Sequence, residues 1–312
     1  VQKIRIGTRT SKLALSQVAE FHLLLADFFP DLKIEIVPIT TSGDRIQDRN
    51  LADIGGKGLF IKELEEALLQ DKIDIAIHSA KDVPPVIHEE TEIAAFTSRL
   101  DSRDCFISAK FKKLEDLPKG AIVGTSSARR KAILLRKRPD LQIVNFRGNV
   151  DTRLRKLEEN VVDATILAAC GLERLGKEKE VKKVFDKKEM LPAGGQGALA
   201  VQIKKSSDSL REVVQKINDS KTMIEVKCER AFLRELGASC STPVGVHAEI
   251  ENDKITLRTQ LLSFNGSEIF ETKSGGKAEL EKAIEIGISA AQKVKKDAGK
   301  LLQSCISSSS DN

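Results

Sequence analysis

The stretch KIRIGTRTSKLALSQVAEFHLLLADFFPDLKIEIVPI, residues 3–39, carries three successive patterns. Residues 3–7 are a short β-rich run, residues 13–29 place apolar side chains at helical spacing, and residues 33–39 return to a β pattern. Residues 59–70 and 73–77 repeat the order of helix then strand. This alternation predicts a mostly parallel α/β sheet. It recurs with a strand over 121–124, a helix from about 128, a strand over 142–146, a helix from about 150, and a strand over 164–168 followed by a short helix. A second α/β unit is therefore expected. The Gly-rich PAGGQG (192–197) runs into the apolar segment 198–203, which is expected to return the chain to the first sheet and make the first domain discontinuous.

Beyond residue 220 the character changes. One helix (222–236), three strand-like runs (244–250, 254–263 and 268–273) and a long helix from 278 predict an α+β unit. Asn265-Gly266 between the last two runs is a strong hairpin signal. The polar end SCISSSSDN shows no periodicity.

At 312 residues the chain exceeds the roughly 150 residues of one domain, so two domains are expected and a third is allowed. The formal charge of +5 is small for this length and argues against a general nucleic-acid or membrane-surface binder. Twelve Phe with neither Tyr nor Trp argue against a platform that stacks successive bases. Five cysteines, at 105, 170, 228, 240 and 305, are an odd set without a CxxC pair, which disfavours a disulfide framework or a zinc ribbon. No apolar run approaches the roughly 18 residues of a membrane span, and VQKIRIGTRT lacks a charged-then-apolar export signature. A cytoplasmic protein, without a metal, is expected.

In open parallel sheets the functional loops lie beyond the carboxyl ends of the strands. Those positions hold TRTS (8–11), HSAKD (78–82), TSS (125–127), RGN (147–149) and PAGGQG. Hydroxyls, free backbone N–H groups and helix dipoles suit an anion there, whereas simple N-capping explains any one turn by itself. Several such turns at one sheet edge point to a shared anionic ligand. Arg129, Arg130, Arg147, Arg153 and Arg155 crowd a short tract, and guanidinium forks match carboxylates or phosphates. The alternative is a solvated helix face. Arg129 and Arg130 also stand in the first turn of their helix, the unfavourable end of the macrodipole unless an anion offsets them. Asp82 ends an apolar strand beside Lys81 and reads equally as a tuned carboxylate or a turn cap. Cys105, Cys170 and Cys228 read as packing residues, whereas Cys240, in GASCSTPVG just past a helix ended by Gly237, reads as an accessible thiol.

Taken in order, IGTRTSKLAL, TSGD, LADIGGKGLFIKELE, DIAIHSAKDVP, RDCFIS, GTSSARR, FRGNVDTRLRKL, ACGLERLG, LPAGGQGALA and the cysteine loop resemble the porphobilinogen deaminase (hydroxymethylbilane synthase) family from residue 4 to the C-terminal helix. The resemblance implies two α/β domains like those of periplasmic binding proteins, joined by two crossovers, plus a C-terminal α+β domain. On this chain the boundaries become 1–97 with 198–217, 98–197, and 218–312. It also implies a transferase of tetrapyrrole (heme) biosynthesis, a monomer, acting on porphobilinogen. Four molecules join head to tail with loss of ammonia onto a dipyrromethane cofactor held by a thioether to Cys240, and hydrolysis then releases hydroxymethylbilane.

By the same resemblance Asp82 is the catalytic carboxylate. Arg9, Lys57, Lys81, Arg129, Arg130, Arg147, Arg153 and Arg174, helped by Ser11, Thr125, Ser126, Ser127 and Gly148, line the site for substrate carboxylates. Phe60, Gln17 and Gln196 complete it. Ala80 stands where the family usually has Met, Ser239 where Gly is commoner, and Gln202 where Glu is frequent. Two other classes compete with this reading: an anion-binding module without chemistry, and a nucleic-acid regulator.

Overall fold

The computed structural model describes residues 2–45, 61–239 and 241–307. The chain begins with β1 (Lys3–Arg9), α1 (Lys12–Ala26), β2 (Lys33–Ile39), α2 (Ser42–Arg45), α3 (Lys62–Leu69), β3 (Ile75–Ser79) and β4 (Thr91–Phe96). It continues through β5 (Asp104–Ile107), β6 (Ile122–Gly124), α4 (Ala128–Lys137), β7 (Gln142–Val144), α5 (Val150–Glu158), β8 (Ala164–Ala168), α6 (Ala169–Glu173) and β9 (Lys183–Val184). The last part holds β10 (Leu199–Lys204), α7 (Asp208–Gln215), α8 (Ser220–Leu236), β11 (Val244–Glu251), β12 (Lys254–Leu262), β13 (Ile269–Lys277), α9 (Leu280–Asp297) and α10 (Gly299–Ser307).

The first sheet has the order β2-β1-β3-β10-β4 and the second β7-β6-β8-β5-β9. Both follow one plan. Three strands run parallel, and the fourth position is filled by a strand delivered by a crossover: β10 lies antiparallel to β3 and β4, and β5 antiparallel to β8 and β9. The apolar run 198–203 thus does return to the first sheet. The third sheet is the antiparallel meander β11-β12-β13, turned at Asn265-Gly266 as the hairpin signal predicts, with α8 and α9 packed together against it.

Each sheet carries its own buried apolar cluster. Ile4, Ile6, Val18, Phe21, Val201 and Val214 fill the first, Phe106, Val123, Ile133, Ile166 and Phe185 the second, and Phe232, Val246, Leu257 and Ala291 the third. At roughly 1.5–3 kcal/mol for each large side chain removed from water, these clusters are the main favourable term for the fold.

Two differences from the sequence reading have identifiable physical causes. The strands β4 and β5 carry the acidic residues Glu92 and Asp104, which break an apolar pattern; each is answered by an arginine from another element, Arg211 at 2.6 Å and Arg130 at 2.7 Å. The expected single C-terminal helix breaks at Ala298, where Gly299, a poor helix former, starts α10.

Candidate active site

The polar turns do cap helices. Ser11 accepts from Ala14 N at 3.2 Å, Ser127 from Arg130 N at 3.4 Å, and Asn149 from Thr152 N at 2.8 Å. Thr125 Oγ1 accepts from Ser127 N, and Ser126 Oγ donates to Asn145 Oδ1 at 2.5 Å and accepts from Phe146 N. Capping and ligand binding are therefore not exclusive here, because the turns that cap also sit at the carboxyl ends of β1, β6 and β7.

The anion that offsets Arg129 and Arg130 lies within the chain. Asp104, fully buried in β5, accepts from Arg130 Nη2 at 2.7 Å on one oxygen and forms an ion pair with Arg129 Nη1, 2.8 Å from the other. Burial alone would raise its pKa, yet the two guanidinium groups hold it far below the carboxylate range. Arg129 also donates to Leu191 O at 2.7 Å and Arg130 to Ile166 O at 2.9 Å. Arg130 Nε stays buried with no partner.

Around this pair the remaining cations gather. Lys81 donates to Gln196 Oε1 at 3.2 Å, and Gln196, itself buried, is fixed by its amide to Ser102 O at 2.6 Å and Asp104 Oδ1 at 3.0 Å. Desolvation, then the charge of Arg130, lowers the Lys81 pKa. Arg153 donates to Gly148 O at 2.8 Å; burial, then Arg130 and Arg147, brings its pKa down to about 10. Asp82 acts in the opposite sense on both Lys81 and Arg153, which places its charge among them. It ends the 3-10 turn Ala80–Asp82 directly after β3, and its carboxylate has no hydrogen bond or ion pair among the described residues.

Other expected residues take different positions. Arg174 is held by Glu20, Nε to Oε2 at 2.6 Å, and donates to Gly197 O at 3.1 Å, so it ties α6 to α1 and to the second crossover. Gln17, buried on α1, donates to Ser79 Oγ at 2.8 Å, next to the turn that carries Asp82. Arg9, half-buried, ends β1, and Arg147 precedes α5. Lys57, Phe60 and Cys240 lie outside the described residues, as does the GGKG run. The flanks of Cys240 are ordered by polar contacts. Gly237 takes φ +74° to end α8, Ser239 N donates to Thr242 Oγ1 at 3.0 Å, and Ser239 Oγ lies 2.7 Å from Ser241 Oγ. The other four cysteines are buried free thiols, and burial pushes those of Cys105 and Cys228 up to about 12, the reverse of a nucleophile.

Sequence reasoning passed over four residues that organise the site: Arg99, Asp104, Glu229 and Arg230. Their signal was charge where the pattern calls for apolar side chains, Asp104 inside RDCFIS and Glu229-Arg230 inside the helical KCERAFL. Glu229 is fully buried on α8 and accepts from Arg99 Nη1 at 2.8 Å, Gly195 N at 2.6 Å and Ala248 N at 2.7 Å. One carboxylate thus joins the first crossover, the PAGGQG loop and β11.

A cluster of cations with an unclaimed carboxylate beside it suits a ligand bearing several acid groups. Among the described residues no helix is long and apolar enough to cross a membrane. Among solved structures, a putative methionine-binding lipoprotein from Bacillus subtilis aligns with 68% of this chain and 90% of its own at TM-score 0.42 and 15% identity, and the periplasmic aliphatic sulphonate binding protein SsuA of Escherichia coli with 75% and 70% at 0.41 and 17%. The fold rests on the strand order and not on these likenesses. Sequence similarity is far stronger. The porphobilinogen deaminase of Nitrobacter hamburgensis is 46% identical over 298 residues, 94% of this chain and 93% of its own length, and that of Rickettsia bellii 46% over 288 residues, 91% and 96%. Residues 4–212 match the family model "Porphobilinogen deaminase, dipyromethane cofactor binding domain" and residues 223–296 its C-terminal domain. The chain belongs to the porphobilinogen deaminase family.

Proposed function

We propose that this chain is a hydroxymethylbilane synthase, a transferase that joins four porphobilinogen molecules head to tail with loss of ammonia and then releases hydroxymethylbilane by hydrolysis. What supports the proposal is that, in a chain of this family, the unclaimed Asp82 carboxylate directly follows Lys81 and acts on the charges of both Lys81 and Arg153.

The residues present fit a dipyrromethane cofactor. Among the described residues Arg130 keeps a buried Nε without a partner beside its Asp104 pairing, the desolvated Arg153 has no carboxylate bonded to it, and each pyrrole ring brings an acetate and a propionate. Bound as a thioether to Cys240, the cofactor supplies a terminal pyrrole with a nucleophilic free α-carbon. Arg153, Arg147, Arg130 and Lys81, with the hydroxyl turns at 11 and 125–127, neutralise the carboxylates and set the register of the chain of rings. Gln196 fixes Lys81, so that charge is preorganised and does not have to be recruited. When ammonia leaves the substrate a cation remains on the pyrrole, and Asp82 stands where a carboxylate stabilises it. The same carboxylate accepts pyrrole N–H bonds and moves the proton that departure and coupling require. Arg129 and Arg174, held by Asp104 and Glu20, contribute mainly by keeping the cleft walls in place; Arg9, Lys57, Phe60, Gln17, Ser11 and Gly148 complete the lining.

The domains follow the sheets, as 1–97 with 198–217, 98–197, and 218–312, and the protein acts as a cytoplasmic monomer. The supports are the buried apolar clusters packed on each sheet and four free thiols among the described residues. Intact-mass measurement tests the function. The purified protein should exceed its sequence mass by one adduct of two pyrrole units, and Cys240→Ser should lack it. An unmodified mass in an active preparation overturns the proposal in favour of a binding module without chemistry.

A further inference from the structure

The turn that carries Asp82 is gripped on both sides by two consecutive residues of α8. On the far side of the turn, Arg230 donates Nη1 to Val83 O at 2.9 Å and Nη2 to Pro84 O at 2.8 Å, the two carbonyls directly after Asp82. On the near side, Glu229 accepts from Gly195 N at 2.6 Å. Gly195 in turn lies against the turn's own backbone: a Cβ there would stand 2.9 Å from Ala80 C and 3.0 Å from Lys81 N. Six residues after Arg230 the helix ends, and Gly237 turns the chain into the loop of Cys240.

Arg230 is an expensive way to tie down a loop. Burial, then the like charge of Arg234, brings its pKa down to about 10, and among the described residues no carboxylate hydrogen-bonds or pairs with it, although Glu92 lines the same cavity. Two neutral carbonyls are its only hydrogen-bond partners there. A desolvated guanidinium without a counter-ion is kept only where its planar, two-pronged geometry matters. Here that geometry sets where two successive peptide groups sit relative to α8.

We infer that Arg230 is a positioning residue, which holds the Asp82 turn in register with the helix leading into the Cys240 loop, so that the carboxylate and the cofactor are referred to one rigid element. The inference rests on the proposed roles of Asp82 and Cys240. It explains why the third domain of this chain is tied to the first by a half-buried arginine as well as by apolar packing. A misplacement of about 1 Å at a reacting group costs as much as 10²-fold in rate.

The test is a double-mutant cycle on adduct-bearing protein, with turnover referred to the adduct content found by intact mass. Arg230→Met should keep the adduct and leave KM for porphobilinogen within about twofold, while kcat falls about tenfold or more. In the Asp82→Asn background the same substitution should cost less than about twofold, because its effect passes through Asp82. Equal losses in both backgrounds would mean that Arg230 only stabilises the fold, and would overturn the inference while leaving the function intact. Near-normal turnover of Asp82→Asn alone would instead overturn the role of Asp82 in the proposed function. Should Arg230→Met fail to fold, Arg230→Lys, which keeps the charge but cannot bridge two carbonyls in a fixed plane, enters the same cycle with the same criteria.

Discussion

Arg99 grips Glu229 with two prongs, Nη1 to Oε1 at 2.8 Å and Nη2 to Oε2 at 3.2 Å, where the first crossover passes α8. Arg99 also donates through Nε to Gln196 O at 2.9 Å, and its side chain is only 8% exposed. Burial would raise the Glu229 pKa, but the Arg99 charge reverses the effect and keeps the carboxyl ionised. The pair therefore locks both interdomain segments to the third sheet. Breaking one partner of such a buried pair strands the other charge, at about 3–5 kcal/mol. Arg99→Met should lose about that much in urea unfolding at pH 7, with Arg99→Lys between it and the parent. A loss under about 1 kcal/mol would show that the junction does not depend on this contact.

Asp82→Asn leaves the neighbouring cations unchanged and removes a carboxylate that no described residue claims. Substrate binding should persist while turnover falls about 10²-fold or more, the usual size of an acid–base contribution. Ammonia release under single-turnover conditions, with the adduct mass measured in parallel, separates loss of chemistry from loss of cofactor.

At Gly195 the φ of +77° and the contact with Ala80 C act together. Gly195→Ala should destabilise by about 1–2 kcal/mol from the left-handed backbone alone. The added methyl also pushes on the Asp82 turn, so kcat should fall more than stability accounts for. A variant with reduced melting temperature and unchanged kcat would separate the two effects.

His78 is buried at the end of β3 with Nε2 2.9 Å from Gln202 Oε1, and burial brings its pKa down to about 4 from the ordinary 6.5. The folded state resists protonation that the unfolded chain accepts. The stability this group contributes is present above pH 6.5 and lost as pH falls from 6.5 toward 4, by at most about 3 kcal/mol. Urea midpoints of the parent should drop across that window, and His78→Gln should show a shallower drop. Gln202 suits this setting: its amide donates to Glu65 Oε1 at 2.7 Å and Thr91 Oγ1 at 2.8 Å, bonds that a carboxylate at this position would not make.

Local chemistry explains why much of the architecture is legible in the chain. The helical spacing of 13–29, the return of 198–203 and the turn at Asn265-Gly266 each have causes within a few residues, and each forms as expected. The same is true of the caps at Ser11, Ser127 and Asn149. The strands β4 and β5 escape such reading because Glu92 and Asp104 are tolerated only through arginines more than twenty residues away.

The site divides along the same line. The crowding of Arg129, Arg130, Arg147 and Arg153 and the position of Asp82 after a strand follow from residue type and neighbours alone. Which donors are committed follows only from the fold: Asp104 pairs with Arg129 Nη1 and Arg130 Nη2, Glu20 holds Arg174, and Gln196 orients Lys81. The hold of α8 on the Asp82 turn, across 147 residues of sequence between Arg230 and Val83, is likewise invisible before the chain closes. Backbone propensity and capping act over a turn or two of chain and are written in order. Electrostatic pairing in a buried junction acts through space, so only the tertiary structure decides which partners meet.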